Sequence, residues 1–227
     1  MKERTRNDQN LNMVLLDILS WMATLATIGF YLTGLIDCKE IIDRQSAGTT
    51  PFLPFLTTHF CCGLWLCYGF IKADPTVKFV NAAGLGLSAI YMVCYISYSN
   101  NKSRQFTLVI LTMAVAMGIE YYLTRIIKDK RVRADYLGLA CIITTMLMQA
   151  SPLFTVVTVL KTKSTETMQY FFSLMMTVVS LIWFTYGFVL QDSTIMAPNI
   201  SGVLLGLIQL SMFLVFPSKQ VAAKKAD

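Results

Sequence analysis

Charge is scarce in this chain. Of its 227 residues, only 14% are Asp, Glu, Lys or Arg, well under the ~25% of an ordinary soluble domain. Histidine occurs once, at His59, so no Cys/His metal cluster can be built. The six cysteines form no C-x-x-C pair. Five of them, Cys61, Cys62, Cys67, Cys94 and Cys141, lie in or beside apolar runs, where a thiol acts as a small buried hydrophobe. There is no G-x-x-x-x-G-K-[ST] phosphate loop, which argues against ATP drive. No nucleophile–base pair stands out either, so neither an enzyme nor a bound cofactor is expected. A cleavable signal pattern is missing: residues 1–11 are polar, and the apolar stretch after them is long enough to span a bilayer.

Apolar residues, in contrast, make up 55% of the chain, and the mean hydropathy is +0.57. A soluble fold of this length could not hide so much apolar surface around one core, whereas lipid solvates it directly. The net charge of +6 would suit nucleic acid, but the basic residues sit between apolar runs, as membrane loops require. A helix needs about 20 mostly apolar residues to cross the hydrocarbon core. Seven such runs are present, near 14–36, 52–72, 77–98, 105–127, 136–160, 168–190 and 194–216. The expected fold is therefore all-α, with seven transmembrane helices and short connections. Loop charge does not orient it. Nine Lys and Arg fall on one side and ten on the other, the cluster at 125–133 being the cause.

Shifting the chain by 118 residues lays the first three runs on the last three without a gap. Asp17 meets Asp135, Leu35 meets Leu153, Ser46 meets Ser164 and Thr49 meets Thr167. Trp65 falls on Trp183, Tyr68-Gly69-Phe70 on Tyr186-Gly187-Phe188, and Asp74 on Asp192. Asn81 falls on Asn199 and Gly84 on Gly202. The expected organisation is a first three-helix repeat at 12–100, a linker helix at 101–130, a second repeat at 131–217 and a cytosolic tail at 218–227. An odd number of helices per repeat would insert the copies in opposite senses. The intervening span restores the second copy, so the repeats are expected to run parallel, with a substrate site near the midplane.

Polar groups at membrane depth need a partner or a water-filled cavity. Asn81 and Asn199 recur in both repeats, and their amides can both give and accept hydrogen bonds, as sugar hydroxyls do. A lone Asn would read as a tie between helices; a symmetry-related pair reads as a ligand contact. Trp65 and Trp183 could stack on a sugar ring or form an interfacial belt. His59 has no counterpart, since Thr177 takes its place. No repeated carboxylate or histidine sits at mid-membrane to relay protons. A facilitator running down its gradient fits this pattern.

Several segments carry a family resemblance: K-T-K-S-T-E at 161–166, A-S-P-L at 150–153, W-x-x-Y-G at 65–69 and 183–187, V-N-A-A-G at 80–84, and A-P-N at 197–199. With F-L-P-F-L-T-T at 52–58, they make residues 14–217 resemble the SWEET sugar facilitators, the animal members in particular. SWEETs are themselves a known instance of parallel repeats about the membrane normal. The resemblance implies a 3+1+3 helix order, an extracellular or lumenal N-terminus, a cytosolic C-terminus, homo-oligomers, and residence in the plasma membrane or Golgi. It implies a substrate site at Asn81, Asn199, Trp183 and Trp65, and an extracellular gate at Tyr68, Tyr186 and Asp192. Of four bending prolines expected in the family, Pro54 and Pro152 match. Gly34 and Gln169 occupy the other two positions, with Pro51 nearby.

The implied function is bidirectional, facilitative uniport of mono- or disaccharides by alternating access. One rival is a proton-coupled PQ-loop-type exporter of another small solute such as an amino acid. Its Pro-Gln pair is replaced here by Ser151-Pro152 and Thr33-Gly34. A seven-helix receptor would not carry the repeat.

Overall fold

The computed structural model describes residues 2–48, 50–166 and 168–216, with side chains from Leu11 onward except at Asn12 and Ser151. The expected cytosolic tail and the Thr49–Thr167 match lie outside the described residues. Among those residues all regular structure is helical: α1 (Lys2–Tyr31), α2 (Gly34–Arg44), α3 (Leu53–Lys72), α4 (Pro75–Ser97), α5 (Lys102–Tyr121) with a π-helical turn (Tyr122–Ile126), α6 (Lys130–Met148), α7 (Ala150–Thr162), α8 (Tyr170–Leu190) and α9 (Ser193–Val215). Taken end to end they supply seven spans of membrane length.

Two spans differ from the sequence reading. The first runs from Met13 to Arg44 and the fifth from Lys130 to Thr162, and each consists of two helices. The hydropathy signal near 14–36 fades because α2 is amphipathic: Cys38 and Ile41 are buried, while Asp37, Lys39, Glu40 and Arg44 are exposed. The chain also becomes helical at Lys2 rather than near residue 14.

The chain divides into two compact units, Thr24–Thr144 and the segments before and after it. In the Thr24–Thr144 unit, α2, α3 and α4 pack together and α5 lies against α3 and α4. Their core joins Cys38, Ile41, Phe52, Phe55, Met92 and Tyr95 with Tyr91. Phe52 and Tyr95 lie 5.0 Å apart, ring centre to ring centre. The other unit pairs α8 with α9 and sets α7 against α9, around Val156, Val159, Met168 and Met212. Val156 and Val159 stand 118 residues beyond Cys38 and Ile41, so the same register is buried twice. Large apolar side chains cover the outside, among them Trp21, Phe154, Phe171 and Leu214. Water would penalise that surface, and lipid does not.

The hairpins show why the W-x-x-Y-G-F…D motif repeats. Helix α3 ends at Ala73 (φ 57°) and α8 at Gln191 (φ 54°). In each, the following Asp returns its backbone N–H to a glycine carbonyl, Asp74 to Gly69 at 2.9 Å and Asp192 to Gly187 at 2.8 Å. That is the 6→1 bond of a helix C-cap in the left-handed conformation. The same Asp then caps the next helix: Asp74 accepts from Val77 N–H, and Asp192 from Thr194 and Ile195 N–H. Among the described residues, the other two non-glycine residues with positive φ, Gln45 and Lys163, form a second pair at the 118-residue offset.

Candidate functional site

Asn81 projects from the second turn of α4 and Asn199 from the second turn of α9. Each donates its Nδ2 to the carbonyl four residues back, Asn81 to Val77 at 2.8 Å and Asn199 to Ile195 at 2.7 Å. That bond fixes the amide and leaves the Oδ1 acceptor and the second N–H without a hydrogen-bond partner among the described residues. Asn81 is buried and Asn199 half-buried. An amide held this way by its own helix is oriented for a ligand without being consumed by packing.

The tryptophans repeat equally closely. Trp65 stands edge-to-face to Tyr68, with ring centres 5.6 Å apart and planes at 82°. Trp183 and Tyr186 do the same at 5.4 Å and 81°. Both indoles are half-buried and both phenols buried, so the tyrosines support the tryptophans one turn away. The ammonium of Lys72 lies 5.7 Å from the centre of the Tyr68 ring. Asp192, expected at the gate, sits at the buried N-cap of α9.

A break in the first span of each repeat lies beside these helices. After α1, Leu35 N–H turns to the Leu32 carbonyl and Ile36 N–H to that of Thr33, both at 3.0 Å. The Tyr31 carbonyl thereby loses its helical donor, and the Tyr91 hydroxyl of α4 replaces it at 3.0 Å. In the second repeat Pro152, which has no N–H, follows the break at Gln149. There the Gln209 side chain of α9 donates to the Pro152 carbonyl at 3.1 Å. Gln209 stands 118 residues beyond Tyr91.

Residues at the break also reach toward the Asn helix. Tyr31 Oη lies 3.3 Å from Cys62 Sγ, and a Cβ on Gly84 would collide with both side chains. At the equivalent place Gln149 donates to the Pro198 carbonyl at 3.0 Å and accepts from Ser201 at 3.0 Å. A Cβ on Gly202 would strike Ser180 and approach Gln149. Glycine is needed at this one repeated position so that the broken span can lie against the helix bearing the Asn.

Sequence comparison by identity missed Tyr31, Gln149, Tyr91 and Gln209, since each pair differs in residue type. The other bending positions do not sit inside helices. Pro54 is in the first turn of α3 and Gln169 precedes α8 in an extended conformation, where a proline or its absence costs no helical bond. Gly34 opens α2, with the Tyr91 ring against it. His59 Nδ1 lies 3.0 Å from Ser88 Oγ, which donates to the Leu85 carbonyl. It ties α3 to α4.

The duplicated triplet, the membrane-length helices and the neutral polar residues in equivalent places define a multi-pass membrane protein of repeat-built transporter architecture. Comparison with known proteins agrees. The family described as "Sugar efflux transporter for intercellular exchange" matches twice, over residues 17–103 and 135–221. Sugar transporter SWEET1 of Danio rerio is 35% identical over 88% of this chain and 92% of its own length. The SWEET1 of Rattus norvegicus is 34% identical over 89% and 91%. A solved eukaryotic SWEET transporter superposes with a TM-score of 0.80 at 25% identity, covering 88% of this chain and 97% of that one. The chain belongs to the SWEET family.

Proposed function

We propose that this protein is a bidirectional uniporter of mono- or disaccharides that works by alternating access. The observation that carries the reading is the pair of equivalent amides, each pinned to its own helix by a 2.7–2.8 Å bond and each retaining a free acceptor and donor. Sugar hydroxyls take and give hydrogen bonds together, and a fixed amide matches two neighbouring hydroxyls without importing charge. Asn81 and Asn199 hold the hydroxyls, and Trp65 and Trp183 cover the apolar face of the ring. Tyr68, Tyr186 and Asp192 form the outer gate. Gly34, Pro54, Pro152 and Gln169 belong to the inner one, where the breaks after Tyr31 and at Gln149 supply the bending points. The halves that move are the repeats at 12–100 and 131–217, with 101–130 as linker. The N-terminus faces the exterior or lumen and the C-terminus the cytosol, in plasma membrane or Golgi, and the chain forms a homo-oligomer. The absence of a repeated carboxylate or histidine at mid-membrane depth supports transport without proton coupling.

Counter-flow of labelled glucose, fructose and sucrose into proteoliposomes tests this. At least one sugar should equilibrate at a rate indifferent to an imposed pH gradient. Accumulation driven by the gradient, or flux of an amino acid and no sugar, overturns the reading.

A further inference from the structure

Of the two breaks, the one in the second repeat is tied directly to the turn that bears Asn199. Gln149 forms the break itself. Its backbone N–H is shared between the carbonyls of Thr145 (3.3 Å) and Met146 (3.1 Å), so the chain tightens toward a 3₁₀ turn before α7 begins. Turns of this kind inside a helical span recur at functional hinges. The side chain of the same residue reaches α9. Its Nε2 donates to the Pro198 carbonyl at 3.0 Å, and its Oε1 accepts from Ser201 Oγ at 3.0 Å. Those partners stand one residue before Asn199 and two residues after it.

The surroundings hold this link in place. Pro198 is fully buried, and its carbonyl also receives the Ser201 hydroxyl at 2.8 Å. Gly202 leaves the room: a Cβ there would strike Ser180 and stand 3.5 Å from Gln149 Nε2. Three residues past the break, the Pro152 carbonyl takes the Gln209 side chain at 3.1 Å. Helix α9 therefore grips the chain at the break and again just beyond it. A change of bend at Gln149 must either part its two bonds to α9 or carry the Pro198–Ser201 turn along. The first repeat differs here. Tyr31, at the equivalent position, sets its hydroxyl against Cys62 of α3, away from the backbone beside Asn81.

We propose that Gln149 is a positioning residue that couples bending of the fifth span to the sugar contact at Asn199. The inference rests on the sugar-uniport reading above. The Asn199 amide is set by its own helix, through the Ile195 carbonyl, so Gln149 is not what shapes the amide. It moves the turn that carries it. Without the link, the hinge and the Asn-bearing turn move independently, and sugar binds without being passed across. Two hydrogen bonds at membrane depth, where little water competes, suffice for a coupling of ordinary size.

Two measurements on the full chain separate this role from a structural one. Tryptophan fluorescence titration in detergent reads sugar binding, and counter-flow in proteoliposomes reads exchange, with whichever of glucose, fructose or sucrose wild type exchanges. Gln149→Met keeps the length and loses both bonds. It should bind that sugar within about twofold of wild type yet exchange it roughly tenfold or more slowly. Asn199→Ala, in contrast, should lose binding and exchange together. Gln149→Glu keeps the acceptor for Ser201 without the donor for Pro198 and should show the same split, which covers the case where Met disturbs folding. Exchange at the wild-type rate in both Gln149 variants overturns the proposal. Binding weakened as much as exchange does so too, since the residue would then touch sugar or merely shape its site. Loss of a melting transition in both variants would make it a packing residue and is equally fatal. A wild type that exchanges none of the three sugars overturns the uniport reading, and this inference with it.

Discussion

The Tyr91 hydroxyl donates to the carbonyl of Tyr31 at 3.0 Å, and so occupies the backbone acceptor that the break in the first span sets free. Gln209 donates to the Pro152 carbonyl at 3.1 Å, in the first turn of α7, whereas the Gln149 carbonyl at the second break keeps the Leu153 N–H at 3.2 Å. A break at membrane depth exposes a carbonyl that has no water to turn to. A donor on the helix carrying the Asn therefore holds the bent span and the binding helix in one arrangement. Tyr91→Phe and Gln209→Leu should each lower thermal stability in detergent, by about 0.5–1.5 kcal/mol. Gln209→Glu removes the donor and adds charge, and should cost more than either.

The glycine at the repeated contact gives a sharper contrast. Gly84→Ala places a methyl group into Tyr31 and Cys62, and should cost about 1–3 kcal/mol. Gly86→Ala, two residues away on the same helix, meets nothing within 4 Å. It should be neutral or stabilising by about 0.5–1 kcal/mol. Thermal melts of the two variants side by side check the packing.

How much of this could be read from the sequence follows from the chemistry of each contact. Trp65 and Trp183, or Asp74 and Asp192, repeat by identity because one turn geometry and one cap demand one residue type. Tyr91 and Gln209 share only the ability to reach a carbonyl, and Tyr31 and Gln149 only length and a polar end. Identity at the offset therefore passed over them. Hydropathy gave seven spans, yet it stopped the first near residue 36, because beyond Ile36 α2 buries only Cys38 and Ile41 and exposes Asp37, Lys39, Glu40, Asp43 and Arg44. Which helices break, and where the freed carbonyls go, depends on tertiary contacts that no local pattern encodes.

Asp192 separates capping from gating. It accepts from Thr194 and Ile195 N–H at 3.0 and 3.3 Å. Asp192→Ala should lose about 1 kcal/mol of stability with the cap. Asp192→Asn keeps an acceptor and should melt close to wild type. Under the proposed gate its sugar flux should still fall, because the charge is gone. Unchanged flux in the Asn variant would make this residue a cap and nothing more.

The amide pair is the centre of the account, and counter-flow in proteoliposomes carrying Asn81→Ala, Asn199→Ala or wild type addresses it most directly, with melting curves run on the same preparations. Neither Asn donates to another element, so both variants should fold and reconstitute like wild type while sugar exchange falls at least about a hundredfold. Exchange at the wild-type rate in both variants would contradict the account.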